Sequence, residues 1–129
     1  MIAVDTNVLV RLLTKDNPDQ AKRAAKLFGE NEIFIPKTVM LETEWVLRHA
    51  YGIDKKAISL AFQRLIGLSN VKIEDLPAVI VAISWYGDGL NLADALHLAS
   101  SREAGKFATF DKSLFRKARQ LSSAHLIAP

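Results

Sequence analysis

Met1-Ile2-Ala3-Val4-Asp5-Thr6-Asn7-Val8-Leu9 begins as a short apolar run, halts at a carboxylate and two polar residues, then turns apolar again. Residues 8–13 continue with helical spacing, so the stretch reads as a strand delivering the chain into a helix. The alternation repeats downstream. Residues 19–28 place Ala21, Ala24, Ala25, Leu27 and Phe28 at helical intervals, and Ile33-Phe34-Ile35 is a β-branched and aromatic run stopped by Pro36. Residues 38–51 read as a helix running out at Gly52, a residue suited to a C-cap, and 54–68 as another helix. Val71-Lys72-Ile73 alternates as a strand, and Asp75 reads as the cap of a helix that ends near Gly87-Asp88-Gly89. Helix is expected over 91–104, strand over 106–110, helix over 112–120, and a last short strand at His125-Leu126-Ile127. Strands separated by one or two helices need crossover connections, which imply a mostly parallel sheet covered on both faces. The expectation is one α/β domain over residues 1–129, with three α/β/α layers and a central sheet of four to five strands.

Composition narrows the chemistry. A chain of 129 residues, half of them hydrophobic, fits one packed domain without repeats or low-complexity tracts. Its longest apolar run, residues 76–83, is far short of the roughly 20 residues a membrane helix needs. Asp5 stands where a secretory leader would want basic residues and then a long apolar core. The absence of cysteine excludes disulfide frameworks, thiolate metal sites and cysteine nucleophiles. A cytoplasmic protein with no membrane partner is expected. The net charge of +3 arises in residues 99–129, which carry 6 Lys/Arg against 2 Asp/Glu. Lys112, Arg116, Lys117 and Arg119 follow one another with no acid among them, a segment able to attract phosphates or simply to serve as a solvated helix end.

Four of the 14 acids sit in apolar company. Asp5 and Asp111 each close a strand, and ligands of open parallel sheets sit beyond the carboxyl ends of the strands. Glu74 and Asp75 also follow a strand, but helix capping accounts for Asp75. In Thr38-Val39-Met40-Leu41-Glu42-Thr43-Glu44-Trp45-Val46, a turn of about 100° per residue puts Glu42 between Trp45 and Val46 on the apolar face. Glu44 falls on the other side, within i,i+4 reach of Arg48. Asp94 lies in the largely apolar segment 91–99 and projects with His97, Leu98 and Ser101, although Asn91 followed by Asp94 also resembles a capping box. Clustered carboxylates repel one another and resist burial unless a cation joins them. Hard ions such as Mg²⁺ and Mn²⁺ prefer carboxylate oxygens and water. A cation on Asp5 plus one or more of Glu42, Asp94 and Asp111 suits activation of water against a phosphodiester.

At these same residues the sequence resembles the PIN-domain family. Val4-Asp5-Thr6-Asn7-Val8-Leu9, the Glu42 segment, Ala93-Asp94-Ala95-Leu96 and Thr109-Phe110-Asp111 recur in the family's order and separations, over essentially the whole chain. With its short length, the chain looks like the VapC-type toxins of toxin–antitoxin pairs. That resemblance implies a Mg²⁺- or Mn²⁺-dependent ribonuclease with a parallel sheet between helices, a homodimer, and a VapB-like antitoxin that silences it. It matches Asp5, Glu42, Asp94 and Asp111 to the family's acidic quartet, with Asp5 and Asp94 the foremost metal ligands. Many relatives carry further acids just after the last of these, where this chain has Lys112, Ser113 and Leu114. Thr6, Asn7 and Thr109 match polar positions that orient the acids; Asn7 reads equally as a turn residue. Lys112, Arg116, Lys117 and Arg119 become candidates for holding an RNA backbone.

His49 and His97 each share a face with a proposed ligand and read as packed or hydrogen-bonded side chains before general bases. Trp45, Trp85 and Tyr86 are aromatic enough to stack on bases, but Trp45 projects onto the core face. A haloacid-dehalogenase-type phosphatase needs a second aspartate where Asn7 stands, and no Gly-rich nucleotide loop is present. A PIN-fold binding module without catalysis is the remaining alternative, and the presence of all four acids argues against it.

Overall fold

Ile33-Phe34-Ile35 is the strand around which the first half of the molecule is built. Both isoleucines are fully buried, and the strand pairs on each side: Ile2↔Ile33 and Ala3↔Phe34 on one edge, Ile33↔Val71, Phe34↔Lys72 and Ile35↔Ile73 on the other. The computed structural model describes residues 1–121 and 125–129 and divides into two units, Met1–Leu76 and Pro77–Pro129. The first holds β1 (Ile2–Ala3), α1 (Thr6–Thr14), α2 (Pro18–Glu30), β2 (Ile33–Ile35), α3 (Lys37–His49), α4 (Lys55–Ile66) and β3 (Val71–Ile73). Its strands form a parallel ladder in the order β1-β2-β3, and the paired helices between them supply the crossovers that parallel pairing requires. The second unit holds most of α5 (Leu76–Gly87), then α6 (Leu92–Ser100), a 3₁₀ turn at Arg102–Ala104, β4 (Lys106–Ala108), α7 (Lys112–Leu121) and β5 (His125–Ile127). β4 and β5 pair in parallel, Phe107 opposite Leu126.

The α/β fold with parallel strands is as expected, and five strands are found among the described residues. They pair as a three-stranded and a two-stranded ladder rather than as one sheet of four to five, because strands of two or three residues offer few rungs each. The 91–104 helix breaks at Ser100, where Ser101 leaves helical geometry and its hydroxyl returns to the His97 carbonyl (2.7 Å). Asp75, expected as an ordinary cap, instead takes the left-handed conformation (φ +51), and its carboxylate pairs with Lys37 at 3.2 Å.

Caps fix where the helices begin. Asp5 accepts from the Val8 N–H (3.1 Å), Asn17 from Gln20 (3.1 Å) with Pro18 following it, Asp54 from Ala57 (2.8 Å), and Asn91 from Ala93 (2.8 Å). Each satisfies a donor that the helix itself leaves unpaired, an effect worth about 1 kcal/mol. Within the first unit the core gathers Leu9, Ile33, Ile35, Met40, Leu47, Ile58 and Phe62. In the second, Ala78, Val79, Ala82, Ile83 and Tyr86 of α5 are buried, as are Leu92, Ala95, Leu96, Leu98 and Ala99 of α6. α3 runs out at Ala50; two residues later Gly52 turns left-handed (φ +64) so that the Ile53 N–H reaches the Leu47 carbonyl at 3.0 Å.

Two polar devices tie these elements. The Asn70 side-chain amide donates to the carbonyls of Phe28 (2.5 Å) and Asn31 (2.9 Å), closing the C-terminal end of α2 against the approach to β3. Around Asp16, the Tyr51 hydroxyl donates to one carboxylate oxygen (2.7 Å), while Arg11 (2.9 Å) and Thr14 (3.0 Å) donate to the other. Arg11 also reaches Gln20 at 2.7 Å. The Tyr51 hydrogen bond does most to hold the Asp16 carboxyl below the usual carboxylate range; desolvation opposes it, and Thr14 and Arg11 reinforce it.

Asn70→Ala leaves two carbonyls without their donor, with an expected cost of about 1–3 kcal/mol in a denaturant titration. A depressed carboxyl pKa contributes stability that is present above the unfolded value and lost as pH falls through the folded one. Tyr51→Phe removes the largest cause, so Asp16 is expected to titrate at higher pH in the variant by side-chain NMR. Less stability then remains to be lost on acidification.

Candidate functional site

A strand that hands the chain to a helix leaves helical N–H groups pointing at the junction, and both units place an aspartate there. Val4 extends the pairing of β1 through its N–H to Phe34 (3.2 Å), and Asp5 follows in extended geometry (φ −93, ψ 177) as the N-cap of α1. One oxygen, Oδ1, takes the Val8 N–H. Among the described residues Oδ2 takes none, and the carboxylate is exposed beside the positive end of the helix. Thr6 is half-buried as the first residue of α1. Asn7 is exposed and lines a groove of about 410 Å³ between α1 and α2, with Arg11, Gln20, Arg23 and Leu27.

In α3 the positions of the two glutamates are the reverse of the expectation. The buried stripe is Met40, Thr43, Glu44 and Leu47, spaced i, i+3, i+4, i+7, so Glu44 is only 2% exposed and Glu42 faces solvent. Glu44 does meet Arg48, as its spacing predicts, with Nε donating to Oε2 at 2.7 Å. The partner is what makes burial of this carboxylate tolerable. Trp45 is 56% exposed and leans on His49 with ring centroids 4.7 Å apart, not on the core. The projection fails because it takes the largest apolar side chain as the marker of the inner face, whereas the packed stripe uses Met40, Leu47 and the small Thr43.

In the second unit, Asp94 is half-buried in the first turn of α6, and its N–H faces the Asn91 side-chain oxygen at 3.4 Å. His97, one turn on, is exposed. Asp111 follows β4 and caps α7: Oδ1 accepts from Ser113 (2.9 Å) and Leu114 (3.1 Å). The Thr109 hydroxyl accepts from the Asp111 N–H at 3.0 Å, which fixes the backbone that carries the carboxylate. Trp85 is half-buried with its indole N–H donating to the Leu121 carbonyl (3.2 Å), and Tyr86 is buried.

The acids sort by what they touch. Asp16, Asp19, Glu44 and Asp75 are paired with cations, and Glu74 accepts from the Lys37 N–H at 2.9 Å. Among the described residues, no cation pairs with Asp5, Glu42, Asp94 or Asp111. Carboxylate oxygens of this kind suit hard divalent ions such as Mg²⁺ or Mn²⁺. Within neither unit do the described residues group three acidic or histidine side chains as a ready-made metal site.

α7 carries the basic segment, and its helical phase divides it. Lys112, Arg116 and Arg119 lie along one face with Phe115, and with Phe110 and Asp111 they line a pocket of about 660 Å³. Lys117 does not line it. Leu114 and Ala118 point inward. Phe110 was expected to end a strand, but β4 stops at Ala108 and leaves the residue 83% exposed. The Thr109 N–H still donates to the Ile127 carbonyl (3.0 Å), so the chain leaves β5 only after Thr109, where Asp111 turns to cap α7.

No described helix is long and apolar enough to cross a membrane. No curated protein matches the chain. The family model described as the PIN domain matches residues 2–120, a span that runs through both units and contains every acid discussed above. PIN domains are generally nucleases, hydrolases that use divalent metals. On that match, the chain belongs to the PIN-domain family.

Proposed function

We propose that this protein is a Mg²⁺- or Mn²⁺-dependent endoribonuclease, acting as the toxin of a type II toxin–antitoxin pair. In this reading it is a cytoplasmic homodimer, and a cognate VapB-like antitoxin inhibits it. The observation that carries the nuclease reading is the PIN match over residues 2–120, which takes in four carboxylates that no cation pairs with among the described residues. The toxin reading is supported by the resemblance of the four motifs to those of VapC-type proteins.

In this reading Asp5 and Asp94 are the foremost metal ligands, and Glu42 and Asp111 are further ones. When bound, such an ion supplies an acidified water and compensation for the charge that develops on the phosphate. The chain's own side chains do the positioning. Asp5 and Asp111 each have one oxygen held by helix N–H groups, which orients the other. Thr109 fixes the Asp111 backbone, and Thr6 and Asn7 stand beside Asp5. Lys112, Arg116 and Arg119 hold the RNA backbone beside Asp111, with Lys117 adding charge on an adjoining face. Hydrolysis leaves 5′-phosphate and 3′-hydroxyl ends.

Purified protein incubated with structured RNA is expected to cut it in Mg²⁺ or Mn²⁺ and to stop on chelation. Asp5→Asn and Asp94→Asn are each expected to lower the rate by roughly 100-fold or more. Cleavage that survives chelation, or both substitutions, overturns the nuclease reading; RNA binding without cleavage points to the non-catalytic binding module. In cells, expression of the chain alone is expected to arrest growth, and co-expression of the adjacent small open reading frame to restore it. A harmless chain removes the toxin role and leaves the nuclease role standing.

A further inference from the structure

The pocket on α7 combines features that the cutting of a phosphodiester does not by itself require. Phe110 is 83% exposed, on the segment between β4 and α7. Such exposure of an aromatic ring is unfavourable in a free protein unless something covers it. Across the same pocket stand Lys112, Arg116 and Arg119, at i, i+4 and i+7. None of the three is paired with a carboxylate among the described residues, although Asp111 lines the pocket too. Asp111 has one oxygen committed to the Ser113 and Leu114 N–H groups, so the lining presents three cations to a single, partly satisfied anion. Lys112 to Arg119 spans about 10 Å along the helix, so the row of cations can meet more than one phosphate of a bound strand. Phe115, half-buried, lines the pocket between the cations, and buried Leu114 and Ala118 hold the helix in place beneath.

A flat apolar ring beside a row of cations is the combination that single-stranded nucleic acid occupies, the ring taking a base and the cations the backbone. We infer that this pocket binds one unstacked nucleotide of single-stranded RNA, with its base on Phe110 and its flanking phosphates on Arg116 and Arg119. The inference deepens the ribonuclease reading and rests on it for the identity of the natural ligand. Phe110 is then a specificity-determining residue, one that selects unpaired over duplex RNA: a base inside a helix is already stacked on both faces and cannot present one to the ring.

Binding by the full-length protein is read by fluorescence anisotropy in chelator, where no metal-dependent cutting occurs, with three probes. These are a short oligoadenylate, an RNA duplex of equal length, and an abasic ribose-phosphate strand. The oligoadenylate is expected to bind more tightly than the duplex. Phe110→Ala is expected to weaken oligoadenylate binding roughly tenfold, with no effect on the abasic strand, and Phe110→Trp to restore it. Phe110→Leu keeps apolar bulk without a π face and is expected to behave as the alanine variant does. Arg116→Gln with Arg119→Gln is expected to weaken both single strands and to reduce the log–log salt slope by about 0.7 for each phosphate that the protein no longer neutralises.

Equal affinity of Phe110→Ala and the unmodified protein for oligoadenylate overturns the inference, as does weakened binding of the abasic strand by the same variant. Unchanged RNA binding in the double arginine variant also overturns it and assigns the cationic face to another ligand, such as an acidic protein segment. The two readings fail separately. Cleavage that persists with binding indifferent to Phe110 sinks only the nucleotide pocket, while Phe110-dependent binding without cleavage sinks only the nuclease.

Discussion

The strand-to-helix junction is the constraint from which the rest of this structure follows. A parallel strand cannot turn back on its neighbour, so the chain leaves its carboxyl end into a helix whose first N–H groups have no internal acceptor. At β1–α1 and again at β4–α7 an aspartate fills that need, with one oxygen on the helix and the other unused among the described residues. The residue that starts the helix thereby stands at the edge of the strands with spare binding capacity. Structure and chemistry share one side chain at each junction, and the two demands do not conflict because they use different atoms. Asparagine keeps the capping oxygen and discards the charge, so it separates the two contributions where alanine would confuse them.

The other polar groups show the contrast. Glu44 is sequestered against Arg48, and Asp16 is saturated by Tyr51, Arg11 and Thr14. Asn70 has both amide hydrogens directed at carbonyls of the α2 terminus. Each of these networks closes on itself. Buried or half-buried polar atoms that find all their partners within the chain specify packing, and they leave nothing to offer a ligand. Asp5 and Glu42 in the first unit, and Asp94 and Asp111 in the second, are open by comparison, with no cation paired to them among the described residues.

Much of this was legible in the sequence where the physics is local. Ile33–Ile35, Val71–Ile73 and His125–Ile127 are strands with the bounds their side chains suggest, and Asn91 caps α6 as its spacing to Asp94 implies. Legibility fails where tertiary packing chooses between equal local options. In α3 either glutamate has the helical phase to lie inward or outward once Trp45 is assigned a side, and only the packed neighbours of Thr43 and Leu47 decide it. Phe110 fails in the same way: an aromatic after Ala108-Thr109 favours a strand, yet the ladder with β5 ends at Ala108↔Ile127 and releases the ring. Pairing of the strands into ladders of three and two is equally invisible to a one-dimensional reading, since each strand has the apolar content to sit in either.

α7 serves two masters on opposite sides of one cylinder. Leu114 and Ala118 face inward, and Lys112, Arg116 and Arg119 share the rim of the pocket, while Lys117, equally charged, does not. What matters is therefore phase and not total charge. A single-residue insertion between Phe115 and Arg116 would leave every charge in the chain, yet it would turn all later residues of the helix about 100° around the axis, carrying Arg116 to the place of Lys117, off the pocket, and Lys117 to the buried place of Ala118. One cation can replace another along that face at little structural expense, but a slip in the count of residues between them breaks the row.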